Sequence, residues 1–146
     1  MAITSAICNS FKQEILEAEH NFTATTGNTF KLALFTSSAT LGASTTAYSS
    51  SNEITNTSGT AYTAGGKAVT SVTPTLDSST AVCDFADVSW TSASFTANGC
   101  LIYNDSHSTD ASVCAVAFGG DKTVSSGTFT IQFPAAAATT AIIRIA

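Results

Sequence analysis

Residues 127–134 read GTFTIQFP, and their alternation decides the fold class: Phe129, Ile131 and Phe133 fall on one face of an extended chain, Thr128, Thr130 and Gln132 on the other. Pro134 lacks the N–H that a ladder needs and closes the strand. Toward the N-terminus, short runs of the same period recur between turn signals. The candidate strands are 67–76, 80–85, 88–96, 98–104, 112–119 and 127–133, with 141–145 beyond the proline. Turn chemistry separates them at Asp77-Ser78-Ser79, Asp105 to Asp110, Gly119-Gly120-Asp121 and Ser125-Ser126-Gly127. Residues 30–35, FKLALF, add an earlier strand that ends fully apolar. This spacing predicts a mainly β protein, an antiparallel β-sandwich or jelly roll, with the strand order open between a jelly roll and other Greek-key sandwiches. Ala135 to Ala138 lie between Pro134 and Thr139-Thr140, too short a span for a helix, and read as a connector.

Composition agrees. Ser and Thr supply 45 of 146 residues, so hydroxyls provide the polar side of nearly every alternation. Thr packs well on a pleated surface, and Ser competes with helix through local hydrogen bonds. Only 10% of residues are charged, against about 25% in ordinary soluble domains. At this length one domain can bury a sizeable core without staples. No internal repeat and no linker divides the β region, which is read as one domain over 23–146.

The period changes at the N-terminus. Between residues 4 and 19, Ile7, Phe11, Ile15 and Ala18 recur at three- or four-residue intervals, with Phe22 just beyond and Leu16 flanking the stripe. This predicts an amphipathic helix capped by Thr4 or Ser5, with Lys12, Gln13, Glu14 and Glu17 on its wet side. Residues 1–22 are therefore read as an N-terminal helical arm. Its apolar face (Ile7, Phe11, Ile15, Phe22) either packs on its own sheet or docks on a neighbouring subunit. Residues 37–66 read as a long loop, or a pair of weak edge strands, whose few apolar members include Tyr48 and Tyr62, a second candidate contact surface.

Signals for chemistry are weak. The two histidines stand apart: His20 reads as a residue complementing the helix C-terminus and His107 as a solvated turn residue. Asp84 and Asp87 read as local turn partners in CDFADVSW, since no calcium-loop pattern surrounds them. Gly65-Gly66 and Gly119-Gly120 lack the following residues that phosphate binding requires. Trp90 and Phe95 read as core anchors, not a sugar-binding row. Cys8, Cys83, Cys100 and Cys114 form no CxxC pair. Their even count permits two disulfides, and reduced, buried thiols are the favoured reading. No catalytic, metal or cofactor residue is assigned.

The net charge is −5, and the five basic residues are scattered singly, which argues against direct nucleic-acid binding. No apolar run approaches a membrane span, and the first residues lack the basic and apolar regions of a signal peptide. The expectation is a chain made in a cytoplasm, with no membrane partner.

Five stretches then bring a family into view: AICNSFKQEILEAEHNF (6–22), FKLALFTSSATLGASTTAY (30–48), AYTAGGKAV (61–69), DFADVSWTSASFTANGCLIYN (84–104) and GTFTIQFPAAAATTAIIRI (127–145). In this order they resemble virion structural proteins of tailed bacteriophages, small capsid cement or decoration proteins built on a jelly-roll-like sandwich. The resemblance implies a homo-oligomer, a dimer or trimer, on the capsid exterior. There it would bind the phage major capsid protein and bridge capsomers. A host-recognition or tail adhesin module that binds cell-surface glycan is the alternative.

Overall fold

The computed structural model describes residues 1–55 and 61–146. In chain order the elements are β1 (Ala6–Ile7), α1 (Asn9–Glu14), β2 (Phe30–Phe35), β3 (Lys67–Val69), β4 (Ser71–Asp77), β5 (Thr80–Phe85), β6 (Val88–Asn104), β7 (Ala111–Ile131) and β8 (Ile143–Ile145). The protein is mainly β. Its strands form two antiparallel sheets, ordered β1-β7-β6-β2-β3 and β4-β5-β8.

β2 sits inside the larger sheet, which is why its sequence runs apolar instead of alternating. Five of its six residues are buried, with Lys31 half-exposed and paired with Asp105 at 2.9 Å. It lies between β6, from Phe30 opposite Asn104 to Phe35 opposite Gly99, and β3. The two sheets meet through aromatic rings. Phe22 stacks on Phe30 with centroids 4.3 Å apart, and both rings reach Phe85 of β5 at 6.2 and 6.0 Å.

β6 and β7 form one long hairpin where the sequence predicts four shorter strands. The expected turns at Gly119-Gly120-Asp121 and Ser125-Ser126-Gly127 are bulges within it. Gly99 is opposite Ala117 and Ala97 opposite Lys122, so residues 118–121 face only Asn98 across the ladder. Gly119 and Gly120 absorb this excess with φ of 72° and 134°. Ser125 and Ser126 likewise face Ser94 alone, and Ser126 takes φ 49°. The turn residues marked real local backbone events, but the hairpin continues through them. The candidate strand 67–76 divides the other way, into β3 of the larger sheet and β4 of the smaller.

The helix expected over 4–19 is six residues long. Ala6 and Ile7 pair instead with Ala115 and Cys114 of β7, and the Cys8 N–H donates to the Val113 carbonyl at 3.0 Å. Strand pairing thus claims the backbone of the first predicted turn. Neither Thr4 nor Ser5 caps the helix: the Thr4 N–H donates to the Leu41 carbonyl, and Ser5 Oγ accepts from the Ala117 N–H. Downstream, Ala18 turns the chain at φ 62°. The first 22 residues are therefore not a projecting arm. Ile3, Cys8, Phe11 and Phe22 belong to the same core as β2, β6 and β7.

The loop from Thr36 onward is laid against the larger sheet. The Ile54 N–H donates to the Leu34 carbonyl at 2.9 Å, and the Tyr48 N–H to the Asp110 carbonyl at 2.9 Å. Gly66 lets the loop end pass close to β2: at φ 77°, a Cβ there would collide with the Leu32 carbonyl oxygen.

Candidate protein-contact surfaces

The six residues expected to make protein contacts divide into two sets. Phe11, Phe22 and Tyr62 are buried inside the domain. Phe11 and Phe22 meet edge-on at 6.0 Å and pack around His20, so both build the core, and Phe11 also borders a surface groove. Tyr62 donates to Glu53 Oε1 at 2.6 Å and accepts from the Leu34 N–H at 2.9 Å. Tyr48, half-buried, stacks on Tyr103 with centroids 4.6 Å apart and donates to Glu53 Oε2 at 2.6 Å. These tyrosines anchor the loop to the sheet. Ile7 and Ile15 alone keep partial exposure beside an open groove.

Glu53 is the centre of the loop anchor. It is buried and accepts from both tyrosines and, at 2.8 Å, from the Gly65 N–H. The Gly65 carbonyl in turn accepts from Tyr103 at 2.7 Å. Burial, then the Glu53 carboxylate, pushes Tyr62 and Tyr48 above the ordinary phenol range; for Tyr103 burial leads, followed by Asp105. A buried carboxylate held by these three donors fixes the loop to the sheet.

His20 departs from its sequence reading. The helix ends at Glu14, and the His20 ring is enclosed in the domain, with Nε2 2.8 Å from Glu14 Oε2 and Nδ1 3.2 Å from Asn104 Nδ2. With Asn104 donating to Nδ1, Nε2 carries the proton toward Glu14. His107 lies at the turn but is not solvated: it is 3.0 Å from Thr109 Oγ1 and 3.4 Å from Glu19, stacks on His20 at 6.3 Å, and its side chain is 19% exposed. The Phe85 N–H donates to the side chain of Asp84, the local bond read from CDFADVSW.

All four cysteines are free thiols. Burial pushes Cys83 up to about 11 and Cys100 up to about 12, and raises Cys8 and Cys114 as well. Among the described residues, no His, Cys, Asp and Glu side chains cluster at a spacing that would hold a metal ion, and no helix is long and apolar enough to cross a membrane.

Among the described residues, an apolar groove and an unpaired strand edge are open to solvent. The first is a mainly apolar groove of about 320 Å³, lined by Phe11 and Ile143, by Ile7, Ile15, Leu16 and Ile145, and by the basic residues Lys12 and Arg144. Leu16 is 87% exposed and Ile145 55%. The helical stripe pointed to the helix side of this groove, with Leu16 at its margin. The β8 side lies within the candidate strand 141–145, but the sequence does not show that it would border α1.

The second surface is the outer edge of β7. β1 covers β7 only at Cys114 and Ala115, so among the described residues no strand pairs with its outer side from Ala117 to Ile131. Such an edge presents a row of backbone donors and acceptors, which most proteins blunt with charge. Here Asp121 and Lys122 are the only charged residues between 117 and 131.

Comparison of the chain with protein-family models, curated proteins and solved structures finds no match in any of the three.

Proposed function

We propose that this protein is a capsid cement protein of a tailed bacteriophage, bound to the outer surface of the head and bridging capsomers. The observation that carries the reading is the open edge of β7. Between its bulges, this nearly uncharged strand edge leaves backbone donors and acceptors that could take a strand from a neighbouring protein, and main-chain pairing of this kind suits a shell made of many identical sites. The Ser- and Thr-rich surface adds hydroxyl hydrogen bonds around that ladder. The resemblance of the five stretches to phage virion proteins points the same way, and the major capsid protein is the partner it implies.

The finer fold assignment belongs to this reading. We take the two sheets as a sandwich of jelly-roll type with a short N-terminal helix. The nested pairing of β1 with β7 and of β2 with β6 supports it. The direct β6–β7 hairpin is the departure from a plain jelly roll.

The test is reconstitution on purified heads that lack the protein. Wild-type protein is expected to bind at a fixed ratio to the major capsid protein and to raise the temperature at which the heads rupture. Replacing Ser125 and Thr128 by Lys places charges along the exposed β7 edge and is expected to abolish binding while the protein stays folded. Full binding by that variant removes the edge from the account. Failure of the wild type to bind any head removes the cement role.

A further inference from the structure

Three consecutive strand residues, Ile143, Arg144 and Ile145, line the groove beside α1. Alternate side chains of a strand point to opposite faces, so a groove that touches three in a row runs along the strand's edge. β8 is the end strand of the smaller sheet. β5 pairs with one side of it, and among the described residues no strand and no further backbone hydrogen bond occupies the other. The opposite wall comes from α1 and the turn after it, through Phe11, Lys12, Ile15 and Leu16. The groove thus has an open strand edge along one side and an apolar flank along the other.

Its charge is opposite to that of the chain as a whole. The sequence holds ten acidic residues and five basic ones, yet two of the five, Lys12 and Arg144, line the groove and no acidic residue does. The partners of both are neutral: Lys12 Nζ donates to Asn9 Oδ1 at 3.2 Å, and Arg144 Nη1 donates to the Ala138 carbonyl at 3.0 Å. Among the described residues neither meets a carboxylate. β8 therefore reads apolar, basic, apolar, with Ile143 and Ile145 on one face and the exposed Arg144 on the other. Side chains directly across a ladder share a face, and opposite charges there attract. The complement of this edge is a strand that reads apolar, acidic, apolar. Two such grooves set face to face would bring like charges together, so the fit is to a different surface.

We propose that this groove binds an extended segment of a partner protein in which apolar residues alternate with Asp or Glu. The segment adds a strand to the open edge of β8. Its apolar side chains cover Ile145, Leu16 and the exposed parts of Ile7 and Ile15. Its carboxylates meet Arg144 on the other face, and Lys12 adds positive charge on the helix side. The surface is separate from the β7 edge. The proposal does not rest on the cement role, and testing it requires no particle.

Fluorescence anisotropy of the full chain with labelled peptides of about six residues, an ordinary strand length, tests this. One peptide alternates valine with glutamate, and a second alternates valine with lysine. A third has the composition of the first with all glutamates placed before all valines. The alternating glutamate peptide is expected to bind saturably, and at least about tenfold more tightly than either of the others. Arg144→Glu should reverse the preference between glutamate and lysine peptides, read on protein whose circular dichroism matches the wild type. Lys12→Glu, at an exposed helix position, should weaken the glutamate peptide in the same direction. Leu16→Ser, which removes exposed apolar surface and leaves the fold intact, should weaken it about tenfold. No saturable binding of the glutamate peptide at millimolar concentration overturns the proposal. So does equal binding of the lysine or the unalternated peptide, or a preference that survives both Arg144→Glu and Lys12→Glu. Dimerisation of the chain that Leu16→Ser abolishes would assign the groove to a second copy and overturn it as well.

Discussion

The Tyr62 hydroxyl donates to Glu53 Oε1 at 2.6 Å and accepts from the Leu34 N–H at 2.9 Å, so one side chain ties the long loop both to a buried carboxylate and to the central strand. Tyr62→Phe removes the donor and strands the Leu34 N–H. The expected cost is about 2–4 kcal/mol in urea unfolding, with the m-value unchanged. A loss under 0.5 kcal/mol contradicts this anchoring.

The same tyrosines set an alkaline limit. Their folded pKa values are raised above the ordinary 10.0, for Tyr62 and Tyr48 by burial and by Glu53. A raised folded value means that the neutral phenol stabilises the fold fully below about pH 10, and that this contribution is lost as pH rises beyond it. Unfolding free energy should be flat in this respect up to pH 10, then fall by up to about 1.4 kcal/mol per pH unit per buried tyrosine. Tyr62→Phe should fall less steeply above pH 10, which a urea series at pH 9, 10 and 11 measures.

Core and surface members of the N-terminal stripe should separate cleanly on truncation. Phe22→Ala leaves a hole between Phe30 and Phe85 and is expected to cost about 3–5 kcal/mol, whereas Leu16→Ala should stay within about 0.5 kcal/mol. Thermal unfolding of the two variants checks this. Equal losses would mean that Leu16 is packed.

Thiol chemistry reports the same burial. With Cys83 raised to about 11 and Cys100 to about 12, native protein at pH 8 should resist an aromatic disulfide reagent. Cys83, half-exposed on β5, should react first and faster as pH climbs toward 11, and Cys8, Cys100 and Cys114 only on unfolding. Rapid modification of all four at pH 8 contradicts the burial described.

The β character was legible because Thr and Phe alternate cleanly in 127–133 and because FKLALF has the continuous apolar run of a strand covered on both faces. The length of the β6–β7 hairpin was not, because Gly119-Gly120 and Ser125-Ser126 use the same residue types whether the chain turns back or bulges. The helix was overextended for a related reason. Ile7 fits a helical stripe, yet its burial comes from pairing beside β7, and a non-local pairing leaves no mark in a local period. Within the candidate contact surfaces, Ile7 and Ile15 were reachable from the sequence. Phe11, Phe22 and Tyr62 were not separable from them, because an apolar residue that faces the core and one that faces a partner look alike in sequence. That Ile145 and Leu76 are exposed on one face follows only from the register of β4, β5 and β8.

The cement role rests most directly on stoichiometry. Quantitative mass spectrometry of purified virions should find this chain on the order of hundreds of copies per particle, in fixed ratio to the major capsid protein, as expected for a protein seated at every equivalent capsomer junction. A handful of copies that fractionate with tails would contradict the account and place the protein among the adhesins.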